Sequence, residues 1–244
     1  TALNAIACLT KPDYKIISVE EVAEINLPHE NWTSTIARPG FGADKQGEIT
    51  LYDLIKAAVR HRPDLVIVGE VRGEEAYVLF QALATGHGGL CTIHAEDVET
   101  TIKRLTQPPM NIPSSILSLM NCMIVVKHVK SPAFLESGRK ASSRKFVRVA
   151  EIEDSNAIHD VFLWNPSMDT FQQNLEGGYL LSKIAKNLDI PLDVISEELE
   201  RRKKILLEMV EHNIRDFRSV NRALSSYYKN PDLVREEFFE KDEG

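Results

Sequence analysis

A carboxylate follows a short apolar run directly in Asp64-Leu65-Val66-Ile67-Val68-Gly69-Glu70-Val71-Arg72-Gly73-Glu74-Glu75. Leu65 to Val68 is rich in β-branched residues and predicts one buried strand. Glu70 is then expected at the carboxyl edge of a sheet, where open α/β folds bind ligands. A carboxylate oxygen there suits a hydrated Mg²⁺ beside a nucleotide phosphate. The same run also fits an ordinary core strand followed by a solvated, acidic helix start. Two further stretches repeat the arrangement. Lys15-Ile16-Ile17-Ser18-Val19 reads as a strand running into Glu20 and Glu21, and Leu90-Cys91-Thr92-Ile93 as a strand delivering His94. Phosphoryl transfer needs a phosphate cradle, Mg²⁺ ligands, a residue that orients water, and positive charge. The last three have candidates here; the cradle has none. Taken singly, His87 and His94 read as structural histidines. Arg38, Arg60, Arg62 and Arg72 are candidates for phosphate or interface contacts, or simply surface arginines.

The elements that must position these groups follow in order. Leu3 and Ile6 with the intervening alanines predict a buried helix over residues 2–9, broken at Lys11-Pro12-Asp13. Residues 26–38 look irregular, with Trp32 as an anchor. Pro39-Gly40-Phe41-Gly42 is a turn cluster. Thr50 and Asp53 form a capping box opening a helix, which Arg60 and Arg62 close. Pro63 ends that pattern. Glu74 and Glu75 begin the next helix, with acid suited to its dipole, and Gly86 ends it. Asp97 caps a helix stopped by Pro108-Pro109, Pro113 starts a short one, and residues 122–129 read as a further strand. This alternation predicts a largely parallel sheet with helices on both faces. From Ser131 the texture changes. Residues 137–145 are polar and basic and predict a solvated loop, and residues 146–162 could form two edge strands. From Tyr179 the pattern is helical. Pro191 starts a long helix with Val194, Ile195, Leu199, Ile205, Leu206 and Met209 on an apolar face expected to be buried. Asp216 and Asn230-Pro231 signal two more starts.

Composition bounds the class. With 244 residues, 43% of them hydrophobic, the chain can build one good core and a smaller appendage. A net charge of −7 argues against nucleic acid as the main partner. Cys8, Cys91 and Cys122 lie in apolar surroundings without a CxxC pair, so buried free thiols in a reducing compartment are expected. No apolar run reaches the roughly 18 residues of a membrane span, and no signal peptide is evident. The chain begins at Thr1, without Met, inside a helical pattern, and reads as a fragment or processed product.

Three ordered stretches together resemble a known family, the type II/type IV secretion ATPases that drive pili, archaella and secretion machines. Ile17-Ser18-Val19-Glu20-Glu21 with Glu24-Ile25 is similar to the family's Asp box. Asp64 to Glu75 is similar to its Walker B segment, and Thr85-Gly86-His87-Gly88-Gly89 through Thr92-Ile93-His94-Ala95 to its His box. The resemblance is dense over residues 1–130, and the helical tail is similar to archaeal members. It implies an α/β fold: a RecA-like P-loop NTPase core (residues 1–130) with helices on both faces of a largely parallel sheet. A basic loop and edge hairpin (131–176) and a C-terminal helical subdomain (177–244) would follow. It implies ATP and Mg²⁺ as cofactors, with Glu70 holding the metal through water and Glu20 orienting or deprotonating the attacking water. Glu21 stands where the family often has Asp, which leaves open which of the pair acts. His94 would sense the γ-phosphate. Thr1 matches the second Thr of Gly-Lys-Thr-Thr, so the phosphate loop is expected outside the chain and the fragment alone is expected to be inactive. The parent would be a homohexamer, cytoplasmic and peripheral at the inner face of the membrane. It would work on pilin-like substrates through a polytopic membrane platform, with no direct nucleic-acid contact. A DNA-transfer motor and a catalytically inactive scaffold are the alternatives.

Overall fold

A computed structural model describes residues 1–42, 44–129, 143–231, 234 and 238. The chain divides into two compact units, Thr1–Ile93 with Glu200–Gly244, and His94–Leu199. The sequence expectation placed residues 1–130 in one core.

The first unit holds a parallel sheet of β1 (Ile16–Glu20), β2 (Trp32–Ile36), β3 (Leu65–Val68) and β4 (Gly88–Cys91), in the order β2-β1-β3-β4. Every residue of β1 and β3 is buried, as expected for inner strands covered on both faces. The pairing Ile16↔Leu65↔Gly88 fixes which side chains share a face. Ile16, Leu65 and Ile67 pack with Ala7 and Cys8 of α1 (Ala2–Cys8), and Leu90 joins them. On the other face, a Cβ on Gly89 would lie 2.6 Å from Leu83 and 3.5 Å from Leu79, both in α3 (Glu75–Ala84). Helices therefore cover both faces. The α2 helix (Leu51–Arg60) packs on α3, β1 and β3, and it opens on the expected capping box. Thr50 Oγ1 accepts from the Asp53 amide, and the Asp53 carboxylate accepts from the Thr50 amide.

Two sequence expectations change here. Residues 32–36 are not irregular but form an edge strand. Its exposed Thr33 and Ser34 conceal it from an apolar pattern, and Trp32 Nε1 anchors it by donating to Ser18 Oγ at 2.9 Å. The fourth strand begins at Gly88 rather than Leu90. Its glycines are there for close packing, since a Cβ on Gly88 would stand 2.8 Å from the Asp64 carbonyl oxygen. The strand ends at Cys91, so His94 lies beyond it rather than at its tip.

In the second unit, β5 (Cys122–Val129), β6 (Ser143–Ile152), β7 (Ile158–Asn165) and β8 (Thr170–Gln173) form an antiparallel sheet in chain order. Residues 122–129 thus belong to this sheet and not to the parallel one. Val98 of α4 (Val98–Thr106) packs on Ala150 and Ile152. Asp97 caps α4 by accepting from the Thr100 amide at 2.7 Å. Arg148 pairs with Asp160 at 2.6 Å and Glu99 at 3.0 Å. The α5 helix (Leu180–Leu188) starts on the buried Glu151 carboxylate, which accepts from the Tyr179 and Leu180 amides at 2.5 and 2.7 Å. The basic stretch at 137–142 and most of the final expected helix lie outside the described residues.

The tail contributes α6 (Leu192–Glu211) and α7 (Phe217–Lys229). Ile205 and Met209 are buried with Ala223, Leu224 and Tyr227. The rest of the expected apolar face is largely exposed: Val194 is 49% accessible, and Leu199 and Leu206 are each 37%. Cys8 is buried, whereas Cys91 and Cys122 are exposed, contrary to expectation.

The helical cluster should respond unevenly to truncation. Met209→Ala is expected to cost about 2 to 5 kcal/mol in urea unfolding. Leu207→Ala, at a position 53% exposed, should stay within about 0.5 kcal/mol of the parent. Equal losses would contradict the burial pattern.

Candidate functional site

The parallel pairing of β1 and β3 brings two carboxylates to one carboxyl edge. The Gly69 amide donates to the Val19 carbonyl at 2.9 Å, so Gly69 lies beside Glu20 and Glu70 follows it. A Cβ at Gly69 would come within 3.3 Å of Glu20 Cγ, so the glycine leaves room for the neighbouring side chain. Glu20 is 2% exposed and shares its face of β1 with Ile16 and Ser18. A buried carboxylate is costly unless donors reach it. Glu20 Oε1 accepts from the Glu24 amide at 2.9 Å and the Ile25 amide at 2.8 Å. Its Oε2 is buried and meets no donor among the described residues. The 24–26 segment is in turn tied to the first turn of α1: Asn4 Nδ2 donates to the Glu24 carbonyl at 2.8 Å, and the Asn26 amide donates to Asn4 Oδ1 at 3.1 Å. Thr1 caps this helix end without a side-chain hydrogen bond.

Glu70 is held from a different direction. Its Oε2 accepts from Arg72 Nη2 at 2.5 Å, and Arg72 Nη1 lies 3.5 Å from Glu21 Oε2. The Glu70 carboxylate raises the Arg72 guanidinium pKa above its usual value, through the hydrogen bond first and the charge second. The Glu70 side chain is 22% exposed, against 58% for Glu21 and 61% for Arg72. Glu75, expected only as a charge at the start of α3, has a specific role: its Oε1 accepts from the Arg72 and Gly73 amides at 2.5 and 2.7 Å. Thr92 brackets Glu70. Its hydroxyl donates to the Gly69 carbonyl at 2.6 Å, and its carbonyl accepts from the Val71 amide at 3.0 Å. In the sequence Thr92 is a strand residue without a chemical role. Its position two residues before His94 in the third motif was the available signal.

The remaining candidates are placed as follows. Arg38 follows β2 and is committed to its hairpin, where Nε donates to the Gly47 carbonyl at 2.8 Å. Arg60 and Arg62 precede β3, and His87 precedes β4. All three therefore stand at the amino edge of the parallel sheet, away from Glu20 and Glu70. His87 Nδ1 lies 3.1 Å from Thr85 Oγ1, closing α3. His94 opens the second unit, exposed, with its carbonyl accepting from Arg104.

Chemically, the edge offers one carboxylate fixed by amides with an oxygen still to be matched, and a second carboxylate, partly exposed, that already accepts a cation. Mg²⁺ takes oxygen ligands and retains water. The Glu70 carboxylate fits such a hydrated ion, and the unmatched Glu20 Oε2 beside it can accept from a water. Among the described residues, no group of three or more His, Cys, Asp or Glu could hold a metal by itself, so water and phosphate would complete its shell. No described helix is long and apolar enough to cross a membrane.

Comparison with known proteins places the chain in a family. Residues 1–198 match the Type II/IV secretion system protein family. Uncharacterized protein MJ1287 of Methanocaldococcus jannaschii is 45% identical over 207 residues, 84% of this chain and 75% of that protein. The type IV secretion system protein PtlH of Bordetella pertussis is 32% identical over 119 residues, 47% of this chain and 34% of PtlH. The solved VirB11 ATPase from the Brucella suis type IV secretion system, in complex with sulphate, aligns with 23% identity and a TM-score of 0.44, over 59% of this chain and 44% of that one. The matched part thus spans less than half the length of each of the last two.

The bracket around Glu70 gives a direct expectation. Thr92→Val removes the bond to the Gly69 carbonyl and should lower stability by about 0.5 to 1.5 kcal/mol. Thr92→Ser should restore it. Denaturant unfolding checks both, and a Thr92→Val variant as stable as the parent would contradict the assignment.

Proposed function

The chain belongs to the Type II/IV secretion system protein family, and from that premise we propose that it is the motor segment of an ATPase that powers secretion or filament assembly. The observation that carries this reading is the pair Glu20 and Glu70 at the ends of adjacent parallel strands, one oxygen of Glu20 buried and unmatched among the described residues. The parallel sheet with helices on both faces is, in this reading, part of a RecA-like P-loop core. The family resemblance adds ATP as substrate, a homohexamer, and a cytoplasmic station at the membrane beside a platform protein and pilin-like subunits.

Bound Mg²⁺ would supply charge neutralisation at the β- and γ-phosphates. Glu70 would hold that ion through its water shell. Glu20 would orient the attacking water through Oε2 and accept its proton, while Oε1 stays on the Glu24 and Ile25 amides. A base held this way loses little freedom in the transition state. Burial and amide anchoring favour Glu20 over Glu21, which is exposed and leans toward Arg72. His94 would report the γ-phosphate state to a neighbouring subunit.

The test is a steady-state ATPase assay on the chain joined, ahead of Thr1, to a Gly-Lys-Thr phosphate loop. Glu20→Gln should bind Mg-ATP as well as the parent does, because a group acting in the transition state adds little to ground-state binding. Its kcat should fall by about 10²- to 10⁴-fold. Glu70→Gln should weaken metal-dependent turnover, and Glu21→Gln should do less than either. Near-normal kcat in Glu20→Gln would remove this edge from the chemistry.

A further inference from the structure

We propose that Arg72 is an internal counter-ion latch that occupies the Glu70 carboxylate, so that a divalent cation must displace its guanidinium to reach the site. The inference rests on the reading of Glu70 as the metal carboxylate and extends it to how that carboxylate is kept before metal arrives.

The geometry separates the root of Arg72 from its tip. The root is fixed, because the Arg72 and Gly73 amides both donate to Glu75 Oε1 at the start of α3. The tip is 61% exposed and spans two motifs, with Nη2 2.5 Å from Glu70 Oε2 and Nη1 3.5 Å from Glu21 Oε2. Glu21 follows β1 and Glu70 follows β3, so one guanidinium neutralises acidic groups that the fold gathers at one edge. Guanidinium forms short charge-assisted bonds to carboxylate, and a hydrated cation needs the same oxygen. The two cations cannot share Glu70 Oε2 without repulsion, so occupancy by one opposes the other. Glu21 gives the displaced guanidinium a second place to rest. Its high exposure and departure from the expected Asp then have a use: a longer carboxylate reaches Arg72 without entering the chemistry. Arg72 is thus a positioning residue, acting through Glu70.

The experiment measures binding of Mn²⁺ alone to this chain, counting free ion by electron paramagnetic resonance. Arg72→Gln is expected to bind Mn²⁺ about 5-fold more tightly than the parent, the scale of one exposed ion pair. Arg72→Lys, which keeps the charge, should bind within about 2-fold of the parent on the same scale. A merely structural role for Arg72 would leave metal affinity unchanged or lower it in both variants, and either result overturns the latch. Glu70→Gln separates the two levels. Loss of Mn²⁺ binding in Glu70→Gln together with unchanged binding in Arg72→Gln overturns the latch and leaves the metal reading of Glu70 standing. Unchanged binding in Glu70→Gln overturns both.

Discussion

Parallel pairing between β1 and β3 is the constraint on which the site depends. Ile16 to Val19 run beside Leu65 to Val68 in register, and that register alone determines that the residues after each run share one edge. The strands are buried on both faces, and burying each Ile or Val contributes about 1.5 to 3 kcal/mol. A slip by one residue would move Ile17 and Val19 to the α1 face and Ser18 and Glu20 to the α3 face. The apolar core thereby sets the position of two carboxylates it does not contact chemically. Gly69 completes the arrangement, because a larger residue there would crowd Glu20.

Around that constraint the two carboxylates are held in different ways. Glu20 is buried and satisfied on one oxygen by backbone amides. Glu70 is partly exposed, bracketed through its backbone by Thr92 and through its side chain by Arg72. A fixed, buried carboxylate beside a partly exposed, adjustable one suits the proposed division of labour, in which one aims water and the other faces a metal ion. The same edge receives the first turn of α1 through Asn4, so the start of the chain is structurally coupled to Glu20.

Much of this was legible in the sequence, for reasons that are local. Leu65 to Val68 announced itself as a strand by its β-branched run, and Thr50 with Asp53 announced a helix start by side-chain chemistry. What was not legible depended on neighbours. The β2 strand, Trp32 to Ile36, is half polar because it is an edge, and only its bond to Ser18 marks Trp32 as an anchor. Gly88 and Gly89 read as a loop, yet they sit in a strand because Leu83 and the Asp64 carbonyl leave no space for a Cβ. Residues 122–129 look like any other apolar strand, and their partner β6 lies beyond a stretch of unrelated texture. Leu199 and Leu206 fit a helical apolar stripe, but burial went to Ile205 and Met209, and periodicity does not say how wide a face is covered. Arg60 and Arg62 are phosphate or interface candidates by residue type, and His87 by its place in the third motif. The direction of the strands puts them at the opposite edge.

The most direct measurement is a crystal structure of the chain joined to a phosphate loop, bound to Mg²⁺ and a non-hydrolysable ATP analogue. A water is expected within about 2.6 to 3.2 Å of Glu20 Oε2, in line with the γ-phosphate, with Glu70 facing the hydration shell of the Mg²⁺. Glu20 Oε2 closed off by a protein donor, with the ion held by other carboxylates, would contradict it.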